Sequence, residues 1–353
     1  MKLPTRTRFA LVSRATAVAL AGVLLAGMTP AQALVISPTF ESSITGASNA
    51  AQIEGAIDSA IATIDGLYTN SVTVPVDFTY TAGASGDLLS TDQSYVNVTD
   101  SNYKAALQTD ATAHPSNTVL ATALANLSKG NDANGATNIA ISSALAQMLG
   151  LGTVSAATIN IASNQDFSFT RPVAGGTYDA IGGLEHELDE VLGGGGAGST
   201  LNNVANGSLC PTYGGFLCTD YGPLDLYRYS AANTPSYSTS SSATSYLSVN
   251  GGVTDIVGFN QNSSGDMADF AANGQAECGP GGPGNPTGQY IQDAFSCAAQ
   301  DEAYTAASPE ATMEESIGWD LATAAPEPGS LFLLGAAVSG IAAFRRRRAS
   351  ATT

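Results

Sequence analysis

Residues 177–193 read TYDAIGGLEHELDEVLG, and the interpretation of the whole chain turns on them. At about 100° per residue, Ile181, Leu184, Leu188, Val191 and Leu192 fall on one stripe, the pattern of an amphipathic helix packed on a core. The period predicts a helix from Thr177 to Leu192 with Asp179 in its first turn and Gly193 as its C-terminal stop. His186, Glu187 and Glu190 lie on the opposite side, with His186 and Glu190 one turn apart. An imidazole nitrogen and a carboxylate oxygen so placed can share one cation at bonds of about 2.0–2.2 Å. Glu187 then stands where a carboxylate can take a proton from water that the ion acidifies. This is the logic of the HExxH helix with its second histidine replaced by glutamate. Zn2+ is the first expectation, although a carboxylate ligand makes the ion a weaker acid and its identity more open. The same spacing also occurs on helix faces that are merely solvated. The metal reading is favoured by the alternating stretch before the helix and the glycine run after it. Only two histidines exist, and the other, His114, stands in the loop-like Ala113-His114-Pro115.

Working outward, Ser48 to Tyr68 carries Ile53, Ile57, Ile61, Ile64 and Tyr68 at helical spacing, with Asn49 and Gln52 placed as a capping box. Val72, Val74, Val76, Phe78 and Tyr80 alternate as a strand, and Pro75 within it suggests a sheet edge. Helical patterns recur at Asn102–Thr109, Thr118–Leu127 and Ile139–Leu149, and Thr158–Phe169 alternates again. Beyond Gly193 the composition turns to Gly, Ser, Asn and Tyr, Ser230–Ser248 is close to a Ser/Thr loop, and Pro309–Leu321 is helical. The expected class is α+β, a mixed α/β N-terminal lobe carrying the central helix and an irregular Gly/Ser-rich C-terminal lobe. A single irregular domain fits the pattern as well.

Charge is distributed unevenly. Of twelve basic residues, Lys2, Arg6, Arg8 and Arg14 lie at one end and Arg345 to Arg348 at the other, so four remain between them against all thirty acidic residues. A body so acidic repels nucleic acid and anionic membrane surfaces, and can attract divalent cations. Hydrophobic residues make up 44% of the chain, enough for a sizeable core, and charged residues only 12%.

Both ends read as addresses. The basic start, the apolar run Ala15–Met28 and Ala31-Gln32-Ala33 form a signal peptide cleaved after Ala33. The other end runs Pro326-Glu327-Pro328, apolar Leu331–Phe344, then four arginines, which stops in an inner membrane with its basic side in the cytoplasm. Cys210, Cys218, Cys278 and Cys297 are even in number and suit an oxidising compartment; of three connectivities, Cys210–Cys218 with Cys278–Cys297 needs the least rearrangement. The expected boundaries are 1–33 for the signal, 34–324 for the body and 325–353 for the tail.

The tail resembles the PEP-CTERM sorting signal. That resemblance implies signal peptidase and exosortase as partners during export, with release or attachment at the cell surface. The string from Leu184 to Gly193 resembles the HEIDEVLG-type helix of PEP-CTERM-tailed, zincin-like metalloproteases. Further segments are similar to theirs: Pro223 to Ser230, Tyr246 to Gly252, Gly265 to Phe270, Gln292 to Phe295, and Glu315 to Asp320. The resemblance implies a zincin-like fold and a secreted zinc endopeptidase acting on a protein or peptide, with Glu187 as general base and His186 and Glu190 as ligands. The position of a third metzincin histidine is Gly196, so another donor is required. Asp225 is the first choice, with Asp266, Asp269 and Glu315 open, and a turn or ion-pair role beside Arg228 as the alternative for Asp225. Arg228 or Tyr229 is the candidate for steadying an oxyanion. Ca2+ is a second candidate ion, near Asp266–Asp269, and extracellular polysaccharide a further candidate partner. The competing functional reading is a non-catalytic matrix or surface protein that retains such a fold.

Overall fold

A computed structural model describes residues 34–84, 86–127, 138–201, 220–271, 290–301 and 303–322. The signal peptide, the sorting tail, Cys210, Cys218 and Cys278 lie outside the described residues; Cys297 is disulfide-bonded.

Strand β1 (Val35–Phe40) leads through the short helix α1 (Ser42–Thr45) into α2 (Ala50–Leu67). Ile53, Ala56, Ile57, Ala60, Ile61 and Ile64 form its buried stripe, as the spacing predicts. The capping box is not formed. Asn49 has φ −113° and ψ 26°, and its side chain makes no cap; the first turn closes instead through Gln52 N–H to the Asn49 carbonyl at 2.9 Å. Then follow β2 (Thr73–Thr81), β3 (Leu89–Asp92), β4 (Tyr95–Thr99), α3 (Asp100–Ala113), α4 (Thr118–Asn126), β5 (Asn138–Ser142), α5 (Ser143–Met148) and β6 (Ala157–Ala162). The stretch expected to be one helix at 139–149 is thus a strand followed by a helix. Ile139 and Ile141 are β-branched and pair with β4, and the Ser142 hydroxyl caps α5 by accepting from Leu145 N–H.

The main sheet has the order β1-β2-β6-β3, with the first three parallel and β3 antiparallel on the edge. β2 is therefore an inner strand, contrary to the reading of Pro75 as an edge marker. The proline is tolerated because pairing with β6 begins only at Val76, so Pro75 faces a neighbour on one side alone. Two-residue strands β7 (Phe167–Ser168) and β8 (Tyr178–Asp179) lead into α6 (Ala180–Leu192). This helix starts three residues later than its periodicity suggests. Asp179 is its N-cap, accepting from Ile181 N–H at 3.0 Å while bonding Arg171 at 2.8 Å. It stops at Gly193, where φ is +113° as a left-handed C-cap requires.

Helix α6 packs along α2 and beneath β3, with Leu184, Leu188 and Leu192 fully buried. Beyond it, β9 (Arg228–Ala231), β10 (Thr234–Pro235), β11 (Tyr246–Leu247) and β12 (Val257–Gly258) make a second sheet of order β10-β9-β11-β12, so part of the Ser/Thr-rich stretch is strand. Helix α7 (Pro309–Ile317) precedes Trp319, which is fully buried and donates its indole N–H to the Leu192 carbonyl at 3.1 Å. Hydrogen bonds cross between the two compositional halves: Ala140 N–H to the Tyr221 carbonyl and Thr69 N–H to the Asp320 carbonyl. The fold is a mixed α+β one. Among the described residues no helix is long and apolar enough to cross a membrane.

The C-terminal end of the described body is clasped to α3. His114 Nδ1 lies 2.9 Å from Asp110 and 2.8 Å from Asp320, and Asn70 and Asn117 also donate to Asp320. Burial, followed by the Asp320 charge, pushes Glu315 up to about 7 and Asp110 up to about 6. A carboxyl whose folded pKa is raised favours the fold while protonated, and that contribution is lost as pH climbs through the folded value. Glu315→Gln is therefore expected to raise the melting temperature by a few degrees at pH 8 and to change it little near pH 4.5. Thermal unfolding followed by circular dichroism at the two pH values checks this.

Candidate metal centre

Helix α6 buries more charge than its stripe of leucines suggests. Glu185, Glu187, Asp189 and Glu190 are all buried, alongside the part-buried His186. They point to different surroundings. Glu185 pairs with Arg171 at 3.1 Å. Asp189 accepts from the Tyr304 hydroxyl at 2.7 Å, which in turn contacts the Tyr68 hydroxyl, and it faces the buried Glu310 and Glu314 of α7. His186, Glu187 and Glu190 line a cleft of about 700 Å3.

Into that cleft come two loops from the second half of the chain. Phe270 N–H bonds the Gln292 carbonyl at 2.8 Å and Ala294 N–H the Phe270 carbonyl at 3.1 Å, which sets residues 266–270 beside 290–294. The result is that Asp269 reaches the helix. His186 Nε2 lies 3.9 Å from Glu190 Oε1 and 3.8 Å from Asp269 Oδ2, and the three donor atoms fall within 4.8 Å of one another. Donors on one ion with bonds of about 2.1 Å stand ~3.4 Å apart at a tetrahedral angle, and the two separations from His186 exceed that spacing by about half an ångström. The imidazole is oriented from behind, where Nδ1 donates to the Ile291 carbonyl at 2.8 Å; this leaves Nε2 with its lone pair toward the carboxylates.

Among the described residues no lysine or arginine lines the cleft. Burial pushes Glu187 up to about 7, against the lowering effects of His186 and of the Thr91 hydroxyl, which donates to Oε2 at 2.6 Å. Burial likewise pushes Asp269 up to about 7, and Glu190 rises well above the usual carboxylate range through burial and then the charges of Glu187, Asp266 and Asp269. The Gly196 N–H, set against both Glu190 and Asp269, offsets part of this. Such a group needs protons or a cation.

The glycine run does more than end the helix. A Cβ at Gly196 would stand 2.6 Å from Glu190 Oε1, and one at Gly195 would collide with the Gln292 amide. Only a backbone without side chains comes this close to the carboxylates.

Of the residues singled out in the sequence, His186, Glu187 and Glu190 come together. Asp225 does not join them. It is buried in the 3-10 turn Pro223–Tyr227, accepting from the Ser199 hydroxyl at 2.6 Å and from Gly222 N–H at 2.9 Å, with Thr200 N–H at 3.3 Å. Its oxygens are spent on folding the loop that follows α6, and the third place belongs to Asp269. Arg228 and Tyr229 are also buried and do not line the cleft. Arg228 donates to the Met267 and Asn260 carbonyls and lies 4.8 Å from the Phe259 ring centre, so it braces the loop bearing Asp266 and Asp269 from outside. Glu315 lies at the far clasp. Thr91 and Gln292 were not among the expected site residues. Asp266, Asp269 and Gln292 do sit in the segments Gly265–Phe270 and Gln292–Phe295 that carry the resemblance, which is the signal that points to them. Asp110, His114 and Asp320 form a second group with donors within 4.8 Å, but there His114 Nδ1 hydrogen-bonds Asp110 and lies against Asp320 itself.

Asp225→Ala should therefore unfold the protein more readily, by about 3–5 kcal/mol, because three donors lose their acceptor and the buried Arg228 its nearest counter-charge. Urea denaturation measures the change.

Residues 324–348 match the family model of the PEP-CTERM protein-sorting motif. No curated protein and no solved structure matches the chain. The motif marks the chain for export and for recognition by an exosortase, in keeping with a protein of the cell surface or exterior.

Proposed function

We propose that the protein is a secreted, zincin-like metallopeptidase that hydrolyses peptide bonds in proteins or peptides. The observation that carries this reading is the convergence of His186, Glu190 and Asp269, with Glu187 beside them, in an open cleft whose described lining residues include no lysine or arginine. A further feature fits a cation at this point: the Gly195–Gly196 backbone leaves a cradle that side chains would fill. One imidazole and two carboxylates suit Zn2+, and Asp266 nearby adds an oxygen that would also suit Ca2+. A zincin-like fold is supported by a parallel sheet with an antiparallel edge strand lying over the HExxE helix.

A divalent ion held here would polarise the scissile carbonyl and make water more acidic. The protein's own groups do the rest. His186 is kept in one tautomer by the Ile291 carbonyl. Glu187, oriented by Thr91, takes the proton from the attacking water and passes it to the leaving nitrogen. Residues Leu89–Thr91 of edge strand β3 line the cleft and have a strand neighbour on one side only, so an extended peptide can add to the sheet there with its backbone beside Glu187.

The test measures bound metal and casein cleavage, with and without a chelator, in the exported protein and its variants. Glu187→Gln should keep the ion and lose about 10²–10⁴-fold in turnover. Asp269→Asn should lower the bound metal, and Asp225→Asn should not alter it in the folded fraction. A wild-type protein that holds its ion and cleaves nothing would instead support a non-catalytic surface or matrix protein.

A further inference from the structure

Gln292 occupies an odd position for a residue that is fully buried. Its Nε2 lies 3.2 Å from His186 Nε2 and 2.9 Å from Asp269 Oδ1. With Nδ1 of the imidazole committed as donor to Ile291, Nε2 of His186 accepts, so the amide hydrogens of Gln292 are directed at two groups that converge on the proposed cation position. Its other end, Oε1, is buried and accepts nothing. A buried acceptor left unpaired costs about 1–3 kcal/mol. The amide thus satisfies its neighbours while leaving its own oxygen unsatisfied.

An N–H aimed at the His186 Nε2 lone pair and a cation on that lone pair exclude each other, whereas the bond to Asp269 Oδ1 leaves Oδ2 available to an ion. Either the side chain leaves, or the amide turns over. Departure is obstructed: Gly195 backs directly against the amide, and the Gln292 backbone N–H is held by Glu310 Oε1 at 3.2 Å. Turning over is sterically mild, because the two ends of a carboxamide are nearly the same size and shape. It would bring the unpaired oxygen to face the ion.

We propose that Gln292 is the fourth protein donor of the site, its amide rotating as the ion arrives so that Oε1 joins His186, Glu190 and Asp269. This rests on the reading of the cleft as a cation site. The donor set is then one nitrogen and three oxygens, harder than that of a site with two histidines, and therefore more receptive to Mn2+ relative to Zn2+. The loop 290–294 supplies both an inner donor and, through Ile291, the hydrogen bond that orients the imidazole.

Isothermal titration of the exported protein with Zn2+ and with Mn2+, each as the metal alone, tests the proposal. Gln292→Met keeps the length of the side chain but offers no hard donor, and should weaken both ions at least about tenfold, with Mn2+ losing more. Gln292→Glu, which presents an oxygen in either orientation, should bind at least as tightly as wild type. Circular dichroism establishes that each variant is folded, and Gln292→Ala replaces the methionine variant if that one is not. A Met or Ala variant that binds as tightly as wild type, or more tightly, would mean the amide is only a plug that the ion displaces, and would overturn the fourth donor alone. A glutamate variant weakened as much as the Met variant would overturn it too. A wild-type protein that takes up neither ion would overturn this proposal together with the reading beneath it.

Discussion

The structure depends on the burial of four carboxylates within two turns of one helix. Glu185, Glu187, Asp189 and Glu190 leave water together, and burying an ionised carboxylate without a partner costs several kcal/mol. Each therefore dictates what must come against it. Arg171 is brought to Glu185, tyrosine hydroxyls to Asp189, and the Thr91 hydroxyl of the edge strand to Glu187. Glu190 receives a glycine backbone in place of a basic side chain. The arrangement on three of these positions is that of ordinary structural pairing. On the face shared by His186, Glu190 and Asp269 the negative charge exceeds what the surrounding protein supplies.

How much of this can be read from the chain follows from where each interaction comes from. The helix, its apolar stripe, its glycine stop and the one-turn spacing of His186 and Glu190 are local, and a 17-residue window contains them. Asp179 as cap rather than first-turn residue already requires Phe167–Ser168 and Arg171, which the window does not include. The third donor is less accessible still, since Asp269 lies 79 positions beyond Glu190 (269 − 190) and arrives through a pairing of two loops that no periodicity announces. Asp225 seemed apt because it leads a short alternating segment beside Arg228 and Tyr229. Those residues are buried for another reason, to build and brace the loops. Strands β1 and β3 carry little signal of their own, since β1 is interrupted by Pro38 and β3 is four residues that include Ser and Asp and depends on pairing with β6.

The glycines after the helix illustrate why composition alone misleads. As a low-complexity run they suggest a loose hinge. In the fold, Gly194, Gly195, Gly196 and Gly198 are pressed against Glu314, Gln292, Asp266 and Leu224, at distances that admit no side chain. Their role is close approach, and their backbone amides are part of the electrostatics of the cleft.

The way the described body ends has a mechanical consequence. Thr69 N–H bonds the Asp320 carbonyl and Ala322 N–H the Leu67 carbonyl, with Tyr68 and Leu321 bridged between them. The sorting motif begins at residue 324, directly after this stitch. Tension applied through the tail while the chain is held at a membrane would be taken first by these short bonds to the end of α2, loaded along the chain like a seam. A pull on the tail therefore bears on this seam and, through it, on the end of α2, while Trp319 beside it ties the same segment to the end of α6.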